Sequence, residues 1–167
     1  MKAFKKFIFI FFLVFSLKEI NSEDNKTAID DAMKVLDTFM VTFNSRDMRS
    51  WSETLNYPHV RFADGNVTVW NSKEDYAAVD IFERLESTGW HHSSWLTRNV
   101  TLVSEDKVHI STIFQRFDKE NNPTKKYQSL YIVTKENGNW GVKARSSLAP
   151  LSLIHIFEPT RQQGISY

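Results

Sequence analysis

The chain contains no cysteine, and only 5 glycines and 4 prolines in 167 residues. The missing thiols exclude a disulfide framework, thiolate zinc sites and cysteine nucleophiles, and are compatible with an oxidising compartment. No glycine-rich phosphate loop and no G-x-S-x-G elbow occurs. His59, His91, His92 and His109 show no ligand spacing along one strand or helix face and have no acidic partner nearby. No metal and no cofactor is therefore expected. An excess of charge is also lacking. The net charge is +1, and Lys2, Lys5, Lys6 and Lys18 against Glu19 give residues 1–22 a charge of +3. Because Glu158 and Arg161 balance in the tail, residues 23–150 carry −2, and a mildly acidic domain is not expected to bind nucleic acid.

Long apolar runs are confined to one place. MKAFKK supplies a cationic start and an unbroken apolar stretch follows from Phe7 to Leu17. That length suits a signal-peptide core and is short for a bilayer span. We expect residues 1–22 to be an export signal cleaved after Ser22, which places the protein in the periplasm or outside the cell with no stable membrane insertion. The alternative is a membrane anchor formed by the uncleaved segment. Six of the 13 phenylalanines lie between Phe4 and Phe15, so the composition overstates the aromatic content of the domain. The remaining length is that of one domain with a core of its own. Asn25, Asn66 and Asn99 head N-x-Thr sequons, which matter only where the exporting cell glycosylates.

From Thr27 to Asn44 an apolar stripe of Ile29, Met33, Leu36, Met40 and Phe43 predicts a helix. Asp47 is placed to cap a short second helix carrying Trp51 and Leu55. Pro58 forces the chain to extend. HVRFA and NVTVW flank Asp64-Gly65, which predicts a hairpin. Ser72-x-x-Asp75 opens a third helix lined by Tyr76, Val79, Phe82 and Leu85, with Gly89 as its stop. The period then changes to two, predicting strands at about 90–103, 107–118, 124–134 and 139–147. The expected fold class is α+β: a hairpin plus a four-strand antiparallel meander, curved over three helices.

TFMVTFNSRDMRSWSETL, then LNYPHVRF, then YQSLYIVT and the closing NWGVKARSSLAP resemble the nuclear transport factor-like superfamily, also called SnoaL-like or ketosteroid-isomerase-like. The resemblance covers nearly all of residues 25–150. It implies a cone whose mouth leads to an apolar pocket between sheet and helices, taking up a small apolar or aromatic molecule. It also implies a homodimer formed through the outer sheet face. The superfamily includes isomerases, dehydratases and cyclases as well as domains with no catalysis, so fold locates a site without fixing its chemistry.

Two constellations carry candidate chemistry. In Gly89-Trp90-His91-His92-Ser93-Ser94-Trp95, two imidazoles sit between indoles, and an imidazole titrates near neutrality. Strand alternation groups Trp90 and His92 with Leu96, Val100 and Leu102, and groups His91 with Trp95 and Thr97. His92 is the catalytic candidate if the first face points inward, and a bulge would reverse that choice. In Tyr57-Pro58-His59-Val60-Arg61, His59 and Arg61 share a face. They either hold a carboxylate or enolate while His59 moves a proton, or form the solvated side of a hairpin. Tyr57, Arg61, Trp90, His91 and Tyr127 complete the ligand-binding set, Tyr127 sharing a strand face with Tyr131. Arg145 alternates with Lys143 against Val142 and Ala144 and is expected on the outer face. No acid stands mid-strand on an apolar face, which argues against the carboxylate-driven isomerases of the superfamily. Two readings stay open: a binding protein with His-based acid–base chemistry, or a noncatalytic ligand-binding or dimerisation module.

The last seventeen residues, LSLIHIFEPTRQQGISY, have no period and no hairpin partner. Back-translated, Leu151–Ile156 match CTG TCT CTT ATA CAC ATC, the transposase adapter of sequencing libraries. Phe157 differs from the adapter-encoded Ser by one base, Glu158-Pro159-Thr160-Arg161 match, and an index then leaves room for Gln162-Gln163-Gly164 before Ile165-Ser166-Tyr167. Residues 151–167 are expected to be a non-native read-through, and His155 is set aside as a site residue.

Overall fold

A computed structural model describes residues 2–79 and 81–149, with side chains from residue 23 onward. The expected export segment and the expected read-through tail lie outside the described side chains. Among the described residues no helix is long and apolar enough to cross a membrane.

Helix α1 (Lys2–Asn44) buries Ala28, Ala32, Leu36, Phe39 and Met40, with Ile29, Met33 and Phe43 at the margins of that stripe. Ala28 and Ala32, in its second half, are small enough to bring the helix close to what it packs on. The helix stops where the chain ties itself to the sheet. Asn44 donates to Ser93 O (2.8 Å) and accepts from Ser93 N (2.9 Å), and Arg46 turns back at φ 61°. Asp47 then caps α2 (Met48–Ser52) by accepting from Ser50 N, which sets Trp51 into the core.

Strands β1 (Leu55–Ala63) and β2 (Asn66–Trp70) form the expected hairpin, with Asp64 at φ 54° and Gly65 at φ 75°. Positive φ at both central positions matches the right-handed twist of the flanking strands. The expected third helix is two short ones, α3 (Lys73–Ala77), capped by Ser72, and α4 (Phe82–Glu86). Four strands follow: β3 (His92–Ser104), β4 (Lys107–Phe117), β5 (Pro123–Glu136) and β6 (Asn139–Ser147).

The sheet order is β2-β1-β6-β5-β4-β3. The meander is antiparallel throughout, and the hairpin joins it by parallel pairing of β1 with β6. Its inner face packs on α1 and α2. Phe39, Trp51, Tyr131, Val108, Ile110, Val133 and Val142 form the contact layer. The α+β architecture, a curved sheet over helices, is as expected from the sequence, with mixed rather than purely antiparallel pairing.

Candidate functional site

Register decides what faces the interior. Arg61 stands opposite Arg145 across the β1–β6 pair, Arg145 opposite Tyr131, and Tyr131 opposite Ile110. These residues form one inward row across four strands. The row below it begins with His59, opposite Trp70. His59 is 1% exposed, Arg61 9% and Arg145 8%. The hairpin face carrying His59 and Arg61 is therefore buried, and Val60 and Phe62 point outward.

Arg145 corrects an expectation. Alternation from Lys143 assigned it to the outer face, but Ile132 pairs with Ala144 and Val133 with Val142, so Lys143 is an extra residue on β6 and breaks the phase there. Val142, Arg145 and Ser147 are all buried, and Lys143 reaches the rim, where it donates to Tyr57 O and pairs with Glu136. The Arg145 guanidinium lies 5.1 Å from the Tyr131 ring centre, 5.6 Å from Phe114 and 5.8 Å from Phe39. Aromatic faces partly replace its hydration.

His59 is held rather than free. Its Nδ1 donates to Val142 O at 3.0 Å, since a carbonyl can only accept, and this leaves Nε2 as the acceptor nitrogen. The ring stacks on Trp70 at 5.9 Å and meets Tyr76 edge-on at 5.7 Å. Burial, reinforced by the charges of Arg145 and Arg61, pushes its pKa down to about 4. It is neutral at physiological pH. Burial pulls Arg61 down to about 10 with Arg145 as the next cause, so Arg61 stays charged there. Tyr76, fully enclosed, is raised by burial and remains a neutral phenol.

Beside these groups lies a cavity of about 10 Å³ lined by Met48, Trp51, Arg61, Trp70, Tyr76, Val79 and Ile81. That is room for roughly one water molecule. Trp51 Nε1 and Arg61 Nε are buried and have no hydrogen-bond partner among the described residues. Both residues line this cavity.

The second constellation faces elsewhere. Trp90 is buried, donates to Ser93 Oγ at 2.9 Å and packs on Phe43 and Phe82, with Arg46 over its ring. The inward positions of β3 are Ser93 and Trp95, then, past a bulge at Leu96, Arg98 and Val100. Leu96 and Leu102 are exposed, so the face grouped with His92 does not line the interior. His91 is exposed and His92 lies at the rim, stacked on Phe117 at 4.8 Å. The two imidazoles contact each other through Nδ1 atoms 3.2 Å apart. His92 sits on β3 at one edge of the sheet and His59 on β1 towards the other, with no shared ring or hydrogen-bond partner. Tyr57 is half-buried with its hydroxyl donating to Ser52 O at 2.8 Å. Tyr127 is half-buried against Phe114, under Arg116.

Of the sequence-derived residues, then, His59 and Arg61 are brought together, and Arg145, Tyr76, Trp51 and Trp70 join them unannounced. Trp51 and Tyr76 were legible as core positions on helix stripes. Nothing in the local sequence marked Arg145 as inward, because the bulge at Lys143 on its own strand, which resets its phase, shows only in the pairing with β5. Among the described residues no group of three or more metal-ligating side chains gathers.

Over residues 30–148 the chain matches the family described as NTF2-like protein (DUF6841). No curated protein matches it. Solved structures with similar folds include an NTF-2 like protein of unknown function from Shewanella oneidensis, at 14% identity over 72% of this chain and 98% of that one, TM-score 0.57. A ketosteroid isomerase-like protein from Erwinia carotovora atroseptica shares 16% identity over 71% of this chain and 93% of its own, TM-score 0.53. The association domain of C. elegans CaMKII shares 17% over 74% and 97%, TM-score 0.54. At these identities the likeness is one of fold.

Proposed function

This chain belongs to the NTF2-like family described as DUF6841, and we propose that its cone takes up a small, largely apolar molecule at the cavity behind α2. The observation that carries this reading is the pair of buried, unpartnered donors, Trp51 Nε1 and Arg61 Nε, on one water-sized cavity among aromatic rings. An unsatisfied buried donor costs about 1–3 kcal/mol, and native interiors rarely keep two together without a use for them. A guest with an acceptor atom satisfies both.

A guest larger than water needs one wall to move. Val79 and Ile81 close the cavity from the turn between α3 and α4, two helices of five residues each. Helices this short depend wholly on packing, so this wall is the one that opens at low cost. The reading is of binding without obligatory catalysis. A base held near pKa 4 removes protons poorly at neutral pH, and His59 becomes a useful acid–base group only when a guest raises it.

Native mass spectrometry of the purified full chain checks the reading. We expect a retained small molecule that is lost in Trp51→Phe, which deletes the N–H and keeps most of the ring packing. Equal retention by Trp51→Phe and Arg61→Gln would remove this cavity as the site, and a chain that neither carries a guest nor gains one from a host extract would end the proposal.

A second role is compatible with the first. The outer sheet face carries Val67 opposite Phe62 and Val69 opposite Val60, continued through Ala144, Ile132 and Leu130. Phe62, Val67, Val69 and Leu130 are exposed. We propose that a second copy of the chain covers this face, in keeping with a structural neighbour that is itself an association domain. Export through residues 1–22 remains our proposal for localisation.

A further inference from the structure

We propose that Arg61 and Arg145 form a carboxylate clamp on the inner sheet face, so that the molecule taken up by the cone is an organic acid with an apolar body. This deepens the binding reading above and rests on it.

Two guanidinium groups placed directly opposite in register, each at least nine-tenths buried, repel one another and have lost their hydration. Interiors normally answer such charges with a carboxylate. Among the described residues the ion pairs are Lys34–Asp31, Arg46–Glu86, Arg98–Asp37, Lys119–Glu120 and Lys143–Glu136, and neither clamp arginine takes part in one. The exposed turn carboxylate of Asp64 makes the smallest of the electrostatic contributions to Arg61.

Hydrogen bonding is equally incomplete. Each guanidinium has five N–H donors. Arg61 gives one long bond to Ala149 O (3.4 Å), and Arg145 one to Ser147 Oγ (3.3 Å). The Nε atoms of both have no partner among the described residues. The unspent valence is therefore cationic, planar and forked, and it matches the two oxygens of a carboxylate.

The surroundings select the rest of the molecule. Phe39, Phe114 and Tyr131 surround Arg145, and Trp51, Trp70 and Tyr76 stand around the cavity at Arg61. His59 is neutral and adds no third charge. No glycine-rich loop offers backbone N–H groups to a phosphate, which leaves a monovalent acid with an apolar or aromatic remainder as the matching guest.

The test titrates the 15N-labelled full chain with benzoate and, separately, with its neutral counterpart benzamide at constant ionic strength. Arginine Nε–H and tryptophan indole resonances are followed. We expect benzoate to shift the Nε–H signals of Arg61 and Arg145 saturably, and benzamide to bind at least ten-fold more weakly. Arg145→Gln should weaken benzoate ten-fold or more and leave benzamide unchanged. Equal affinity for both probes, or benzamide moving the Trp51 indole while benzoate moves neither arginine, overturns the clamp and leaves the cone a binding site for neutral molecules. Sulfate or chloride reproducing the benzoate shifts also overturns it, because the arginines would then answer any anion. Silence of all these resonances with both probes removes clamp and cavity together. Arg145→Met gives an independent reading: with no acid present its thermal midpoint should equal or exceed that of the parent, whereas a marked fall would assign Arg145 a purely structural role and overturn the proposal.

Discussion

His59 shows how a single side chain records its surroundings. Its imidazole is neutral in the fold with a pKa of about 4, against an ordinary value near 6.5, because burial keeps water from it and, secondarily, Arg145 and Arg61 stand beside it. Between these two values the unfolded chain binds a proton that the folded chain refuses. Stability therefore rises with pH through that window and falls as pH drops from 6.5 towards 4, by up to about 3 kcal/mol. Below pH 4 both states are protonated and this contribution stays lost. Urea midpoints measured from pH 4 to 7 should show the slope, and His59→Asn, whose amide can replace the Nδ1 donor to Val142 O, should flatten it. A slope unchanged in that variant would mean that other groups set the acid limit. An anion bound at the neighbouring arginines would raise the His59 pKa and shift the window upward. That His59 and Arg61 share a face was legible, since strand period two needs no tertiary knowledge. That the face is the buried one was not, because two cations on a strand ordinarily mark its solvent side.

At the scale of elements, the join between hairpin and meander depends on one close approach. Gly141 on β6 lies under Asn56 of β1, and a Cβ at that position would meet Asn56 Oδ1 at 2.7 Å and Asn56 N at 3.0 Å. Asn56 cannot simply swing away. Its amide donates to Thr134 O (2.8 Å), Thr134 Oγ1 (3.0 Å) and more weakly to Gly141 O (3.4 Å), linking β1, β5 and β6 where the parallel register shifts. Gly141→Ala should cost about 1–3 kcal/mol in urea unfolding, through overpacking and lost hydrogen bonds. The same change in an Asn56→Ala background should cost clearly less, because the side chain that clashes is gone. Additive costs would show that backbone contact alone excludes the methyl group. The helices, the hairpin turn and the four long strands were legible from caps, Asp64-Gly65 and period. The β1–β6 pairing was not, since a parallel partner as distant in sequence as Ala144 is from Val60 leaves no local pattern. The bulges at Leu96 and Lys143 were equally silent; the first breaks the alternation that grouped His92 with Val100, and the second turns Arg145 inward.

For the whole molecule the question is what covers the convex side of the sheet. The concave side is covered by α1 and α2, but among the described residues no helix lies over the outer row from Val69 through Val60, Ala144 and Ile132 or its neighbour from Val67 through Phe62 to Leu130. Sheets of mixed pairing are stable with one face in water only where that face is polar. Here Val67 and Val69 on the edge strand are more than half-exposed or at that margin, and the exposed Phe62 stands opposite Val67. An isologous contact sets the same rows of two copies against each other about a two-fold axis, and leaves the α2 side of both, where the proposed guest enters, uncovered. Analytical ultracentrifugation at micromolar concentration should then give a dimer. Val69→Lys combined with Phe62→Glu should give a monomer with its fold intact by circular dichroism, since both positions face outward and neither packs in the core. A guest retained equally by that monomer would show that the cone works alone and that association serves stability. A parent chain already monomeric at 100 μM would remove the second copy as the occupant of this face, and the apolar rows would then need a partner of another kind.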